Sequence, residues 1–256
     1  MQRYFIEPSQ LEEHQAIITG DDARHITKVM RGKTGDKLIV SNGVSREALA
    51  EISEIEASQV TVSIMEWLPM DHEPKVSVTI AQSLPKGDKM ELVIQKCTEI
   101  GAAVFVPFVS ERTIVQYDAK KEGKRLERWR KIAKEAAEQS HRNKVPEIKE
   151  SKSWKELLAS FEDYDLVCYC YEKEEGLQLR DVVKPFADRL KADPNMDPSV
   201  LVIVGPEGGF TTGESEAAEA AGAKSVGLGK RILRAETAGL LALTCILYET
   251  DEMGGM

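Results

Sequence analysis

Leu201-Val-Ile-Val-Gly-Pro-Glu-Gly-Gly-Phe210 is the stretch whose reading decides the fold. An unbroken aliphatic run enters a glycine-rich turn, and Thr211-Thr-Gly-Glu214 then fits a capping box that opens a helix. A strand with no polar alternation is buried on both faces, as in a parallel sheet covered by helices. Ligands of open α/β sheets bind at the carboxyl ends of the strands. Glycines there let the backbone approach a ligand closely and adopt positive φ. The stretch matches neither the GxGxxG dinucleotide pattern nor the GxxxxGK[ST] phosphate loop, so residue pattern alone leaves a plain capped turn open beside a ligand loop.

Working outward, strand and helix signals alternate. Val76 to Ala81 reads as a buried strand. Lys86-Gly-Asp88 opens a helix with Met90, Val93, Ile94, Cys97 and Ile100 on one face, and Gly101 ends it. Val104 to Pro107 is a strand, and a basic helix runs from about Lys120 to His141. Leu166 to Tyr171, Val200 to Val204 and Ser225 to Leu228 are further strands. A last helix, about Glu236 to Tyr248, is apolar nearly all round and has to be buried, in a core or against another subunit. Residues 1–70 differ: Lys37 to Val40, Ala48 to Ile55 and Gln59 to Trp67 alternate apolar and polar residues between Gly-Asp and Asn-Gly turn signals. The expected organisation is a β-rich module over 1–70, a short Pro-bounded linker, and an α/β domain over 74–256.

The formal net charge is −9, yet Arg112 to Lys155 carries 14 Lys/Arg against 7 Asp/Glu. That segment is therefore +7 and the remainder −16. A basic segment in an acidic chain is an electrostatic footprint for a polyanion, with a solvated helix face as the plainer alternative. No apolar run approaches the ~20 residues that span a bilayer. The N-terminus lacks the pattern of a signal peptide, so a cytoplasmic location is expected. Cys97, Cys168, Cys170 and Cys245 form no CxxC pair and read as small hydrophobes. The four histidines show no ligand spacing, so no metal is expected.

Two more segments carry chemistry. Gly227-Leu-Gly-Lys-Arg-Ile-Leu-Arg-Ala-Glu-Thr-Ala238 again lies between a short strand and a helix. Ile232 and Leu233 between Arg231 and Arg234 suggest a loop folded over a ligand with the aliphatics inside. Ala136-Ala-Glu-Gln-Ser-His-Arg142 offers several polar groups, although a helix end with its cations on the dipole accounts for it as well.

Taken in order, Lys86-Gly-Asp-Lys-Met-Glu91 with Gln95 to Gly101, Glu138-Gln-Ser140 with Arg142, Gly205 to Phe210, and Leu228 to Ala238 resemble the bacterial 16S ribosomal RNA uracil-N3 methyltransferase family, the RsmE family of the SPOUT superfamily. His25 to Arg31 with Gly35-Asp36 resembles that family's PUA-like RNA-binding module. The likeness covers essentially the whole chain and is weakest from Val145 to Asp197. It implies a trefoil-knotted α/β methyltransferase domain that uses S-adenosylmethionine, acts on 16S ribosomal RNA or the small subunit, and works as a homodimer.

The resemblance places the cofactor against Ile203, Gly205, Pro206, Glu207, Gly208, Gly209, Leu228, Gly229, Ile232 and Leu233. For chemistry the candidates are Arg142 and Arg234, which would stabilise the uracil anion, and Glu207 as a base or a loop-ordering carboxylate. Glu236 reads as ordering, at a helix N-terminus that favours an anion. Arg31, Lys33, Lys86, Lys89, Arg112, Lys124, Arg128, Lys131, Gln139 and Ser140 are the expected RNA contacts. Ribose 2′-O methylation and a non-catalytic assembly factor are the alternatives.

Overall fold

The computed structural model describes residues 1–115, 119–193 and 195–255. Positions 116–118 of the basic segment lie outside the described residues, as do the side chains of 119 and 120. The chain forms two compact units: Met1–Glu73 with Lys134–Val145, and Pro74–Ala133 with Pro146–Met256.

The first unit is a five-stranded sheet. Its strands are β1 (Arg3–Phe5), β2 (Gln15–Thr19), β3 (Lys37–Ser41), β4 (Glu47–Ile55) and β5 (Gln59–Leu68), in the order β1-β3-β4-β5-β2. Only β1 and β3 pair in parallel; the other pairs are antiparallel, as the alternating sequence requires. Tyr4, Ile18, Val40, Ile52, Val60 and Val62 from the inward positions build its core. One turn of helix, α1 (Gly20–Arg24), and the π-helical segment His25–Val29 follow β2 and close the core with Ala23 and Ile26.

In the second unit the sheet strands are β6 (Ser77–Ser83), β7 (Val104–Val109), β8 (Glu147–Ile148), β9 (Lys152–Ser153), β10 (Leu166–Cys170), β11 (Ser199–Val204) and β12 (Lys224–Val226). All pairs are parallel, in the order β12-β10-β11-β6-β7-β8, with β9 beside β7. The helices are α2 (Lys89–Ile100), α3 (Ala119–Gln139), α4 (Trp154–Leu158), α5 (Leu179–Ala192), α6 (Thr212–Ala220) and α7 (Ala235–Glu249). The boundary between the units falls inside α3. Val200, Leu201, Val202 and Ile203 are fully buried, which accounts for the unbroken apolar run of β11. Gly101 ends α2 at φ +128, where an L side chain would be strained. From the sheet edge at β12 the chain returns to its middle, because α7 packs on β6 and β11 as well as on α2 and α5.

Three differences from the sequence reading have physical causes. The segment Val145–Asp197, read as little more than one strand, also holds β8, β9, α4 and α5; the two strands are only two residues each, too short to show a period. The last helix is not buried all round. Ala238, Ala242, Leu243, Ile246 and Leu247 face the sheet and α2, while Cys245 and Tyr248 are exposed, Tyr248 at 62%. Buried and open faces carry the same residue types, so hydropathy could not separate them. Lys134–Val145 belongs to the N-terminal unit because contacts distant in sequence hold it there. The Phe5 N–H donates to Glu138 Oε1 at 3.1 Å, Lys134 pairs with Asp22, and Arg3 donates to the Arg142 carbonyl.

Among the described residues no helix is long and apolar enough to cross a membrane. Burial raises the thiols of Cys97, Cys168 and Cys170, that of Cys168 to about 12, which keeps them protonated.

Candidate active site

The loops leaving the carboxyl ends of β10, β11 and β12 enclose a cavity of about 510 Å3. Its walls include Tyr171 and Glu172 after β10, Val204 at the end of β11 with Gly205 to Phe210 after it, Gly227 to Glu236 after β12, and Lys89 and Ala238. Parallel pairing puts these ends at one edge of the sheet, so the glycine loop faces the cavity as the sequence implied.

The glycines are required by space and by angle. A Cβ on Gly205 would lie 2.8 Å from the Phe210 ring. Gly209 has φ +67, and a Cβ there would lie 2.5 Å from Glu172 Oε1. Gly229 has φ +99 with open space around it, so its constraint is angular alone. Phe210, 1% exposed, anchors the loop among aromatic rings, 4.5 Å from Tyr169, 5.6 Å from Trp154 and 6.4 Å from Phe108 between centroids. Thr211 then caps α6, with Glu214 closing the box.

Cations hold the loop from two sides. Lys89 Nζ donates to Glu207 Oε1 at 2.9 Å and lies 3.6 Å from Glu236 Oε2. The Lys86 N–H donates to the same Glu207 oxygen at 3.1 Å. Partial burial opposes ionisation of Glu207, but the Lys89 hydrogen bond and backbone N–H donors outweigh it and hold the carboxyl below its ordinary value. A carboxylate stabilised in this way is a weak base and orders the loop. On the other side Arg112 Nη1 donates to the Gly208 carbonyl at 2.9 Å. The Glu236 Oε2 atom is buried and has no hydrogen-bond partner.

The expected site residues fall in different surroundings. Ile203 is fully buried in the core with Phe210 and does not line the cavity, because strand alternation turns its neighbour Val204 toward it. Ile232 lines the cavity from its rim and is 87% exposed, while the loop's ends, Leu228 and Leu233, are half-buried. Arg142 lies in the N-terminal unit, 5% exposed and paired with Glu73. The backbone of that segment closes a helix end. His141 takes φ +59, its N–H reaches the Glu138 carbonyl, and the Arg142 N–H reaches the Ala137 carbonyl, a Schellman closure. Ser140 Oγ donates back to the Ala136 carbonyl, and Gln139 is exposed. Arg234 does line the cavity, its side chain 81% exposed.

Of the remaining basic residues, Arg31, Lys33, Lys86, Lys124, Arg128 and Lys131 are exposed, with Arg128 paired to Glu91 at 2.6 Å. The sequence reading overlooked Glu172, Gln82 and the Ser110–Thr113 turn. Gln82 is fully buried and donates from Nε2 to the Ser83 carbonyl. A polar Ser-Glu-Arg-Thr run directly after a buried strand was the available signal for the turn.

A second, apolar groove of about 620 Å3 lies between α5 and α7, lined by Leu179, Val183, Leu241, Cys245 and Tyr248. Gly227, Leu228 and Gly229 wall both this groove and the cavity.

A glycine loop at the carboxyl edge of a parallel sheet in one unit, and a β-rich sheet in the other, agree with two matched families. The pattern of the RNA methyltransferase domain matches residues 72–247, and that of the RNA methyltransferase PUA domain matches residues 18–65. The protein is thus an RNA methyltransferase of the class that uses S-adenosylmethionine. Ribosomal RNA small subunit methyltransferase E of Bacillus subtilis is 42% identical over 100% of this chain and 99% of its own length. The protein of that name from Synechocystis is 32% identical over 95% of this chain and 76% of its own. Among solved structures, the Neisseria gonorrhoeae ribosomal RNA small subunit methyltransferase E bound to S-adenosylmethionine superposes with a TM-score of 0.84 at 29% identity, covering 97% of each chain. A Legionella pneumophila putative methyltransferase with the same bound cofactor gives 0.83 at 28%, covering 96% of each. The chain belongs to the ribosomal RNA small subunit methyltransferase E family.

Proposed function

We propose that the chain methylates N3 of one uridine in 16S ribosomal RNA, with the cavity between the Gly205 and Leu228 loops as its S-adenosylmethionine site. The observation that carries this reading is the cavity itself. Its volume, about 510 Å3, suits a nucleoside-sized ligand. Added side chains at Gly205 or Gly209 meet neighbours at once. Glu236 Oε2, buried and without a hydrogen-bond partner, offers an acceptor to a ligand that brings hydroxyl and ammonium donors.

The cofactor supplies an electrophilic methyl group on a sulfonium. In the transfer the uracil N3–H bond is lost to a base or solvent, the N3–C bond forms, and the C–S bond breaks to leave a neutral thioether. What the chain contributes is placement and charge. The glycine loop, pinned at Glu207 and Phe210, presents a pre-formed wall. Well-placed reactants gain roughly 7–11 kcal/mol in the barrier. Arg234 is one of three exposed cations on the cavity wall, with Lys230 and Arg231, and is the one we assign to the anion developing on the uracil carbonyls. N3 is hidden inside a base pair, so the target base has to be unpaired or flipped out.

A second copy of the chain is the occupant we assign to the α5–α7 groove. Its apolar lining continues the open face of α7 and leaves Tyr248 uncovered in a single chain. Light scattering should give twice the chain mass at micromolar concentration; the chain mass alone contradicts the assignment.

The function is tested by digestion and mass spectrometry of 16S RNA methylated in vitro. A single N3-methyluridine is expected, absent with Gly205→Val and slowed ~100-fold or more with Arg234→Ala at saturating cofactor. A 2′-O-methylated product overturns the proposed chemistry.

A further inference from the structure

The turn after β7 is built as a fastening for the glycine loop. Ser83, Ser110 and Thr113 bring three hydroxyls together beneath it, with separations of 2.8 Å (Ser83–Ser110), 2.9 Å (Ser83–Thr113) and 2.9 Å (Ser110–Thr113). The Ser110 N–H also donates to Thr113 Oγ1 at 2.9 Å. From this base Glu111 reaches the start of α6: its N–H donates to Glu214 Oε1 at 2.7 Å, and its Oε2 accepts from Thr211 Oγ1 at 2.9 Å. Arg112 reaches the loop itself. Its guanidinium donates to the Gly208 carbonyl, and its stem lies over Gly208, where an added Cβ would be 3.6 Å from Arg112 Cβ.

The peptide between Gly208 and Gly209 is thereby held at both polar ends. Its carbonyl is bound by Arg112, and its N–H donates to the Pro206 carbonyl at 2.9 Å. This peptide leads into the left-handed Gly209, so its plane sets the course of the wall that follows. Arg112 sits in the most basic segment of the chain, where charge alone reads it as a phosphate contact.

We propose that Arg112 is a positioning residue for the cofactor: it fixes the Gly208–Gly209 peptide, and the rigid hydroxyl-based turn after β7 fixes Arg112. The proposal rests on the cavity being the S-adenosylmethionine site. A loop that has to be ordered on each binding event binds more weakly, because the ordering entropy is subtracted from affinity. Loss of Arg112 therefore acts on cofactor affinity and leaves RNA affinity alone.

The test uses the full chain with Arg112→Ala, Arg112→Lys and Gly205→Val, each checked by thermal melting. S-adenosylmethionine affinity is measured by calorimetry, RNA affinity by filter binding across salt, and methylation by single turnover with cofactor varied. Arg112→Ala should raise the cofactor Kd about 3- to 10-fold, the order for losing a hydrogen bond at an exposed site. RNA affinity and its salt slope should match wild type, and raising the cofactor concentration should restore most of the single-turnover rate. Arg112→Lys should recover part of the affinity, since it keeps one donor and loses the planar fork. Gly205→Val separates the two levels of the argument. If it binds cofactor as wild type does, the cavity assignment fails. If it loses binding while Arg112→Ala keeps wild-type cofactor affinity, the clamp is refuted. A weaker RNA complex for Arg112→Ala, with a salt slope reduced by about 1, refutes it too and makes Arg112 a phosphate contact.

Discussion

Arg142 offers the sharpest test, because its charge and its surroundings point to different outcomes. In the structure its Nε lies 3.3 Å from Glu73 Oε1 and its Nη2 pairs with Glu73 Oε2. The side chains are 6% and 17% exposed. Deleting one partner of a buried pair costs ~3–5 kcal/mol, mostly from the charge left behind. Glu73 Oε1 would keep two backbone donors, the N–H groups of Asn143 at 2.8 Å and Lys144 at 3.1 Å. We therefore expect Arg142→Ala to cost about 2–3 kcal/mol, below the usual range. That lowers Tm by roughly 4–12 °C. Calorimetric melting of Arg142→Ala, Glu73→Ala and the double variant gives the coupling, and the double variant should be little worse than either single one. Single-turnover methylation at a temperature where all variants are folded should change by less than about threefold, since an interaction absent from the transition state leaves the rate unaffected. An unchanged Tm together with a rate loss of about 100-fold would refute this reasoning and return Arg142 to the uracil.

Glu138 gives a pH prediction. Burial raises its carboxyl to about 7, with Asp22 adding to this against the Phe5 N–H and Lys134. The folded chain therefore keeps a proton that the unfolded chain releases above about 4.5, and stability should fall as pH rises from about 4.5 to 7 and then level off. Glu138→Gln should melt higher than wild type near neutrality and equally at about pH 4.5; the same pH slope in both proteins would reject the assignment. On α3, replacing Lys124, Arg128 and Lys131 together with Gln should weaken RNA binding and reduce the salt slope by about 2–3, since each lost phosphate contact removes released counterions. An unchanged slope would place the RNA elsewhere.

What could be read from sequence follows the range of the interactions involved. The β11 strand, its glycine turn and the α6 cap are encoded within 14 consecutive residues, Leu201 to Glu214, and stand as expected. The pairing of Arg142 was hidden, because its partner Glu73 is 69 positions away in a stretch that looks like linker. Lys89 and Arg112 likewise read as RNA contacts. Their acceptors, Glu207 and the Gly208 carbonyl, are 118 and 96 positions off, and a carbonyl leaves no mark in a sequence at all. Ile232 is a different case. An aliphatic residue flanked by cations signals burial, but not in which assembly or against which ligand.

The wall formed by Gly227, Leu228 and Gly229 is a single chain thick, with the cavity on one side and the apolar groove on the other. Its backbone is tied to Leu177 and Leu179 through the two polar groups of Gly227, while Gly229 keeps its unusual φ with no side chain to brace it. Whatever orders this segment from one side relieves the other side of that cost. Linkage then makes the effect reciprocal: if a ligand in the cavity tightens the cover on the groove by some factor, the cover tightens the ligand by that same factor. If the cover is a second copy of the chain, cofactor affinity becomes a function of protein concentration, and a Kd measured at one dilution describes that dilution only.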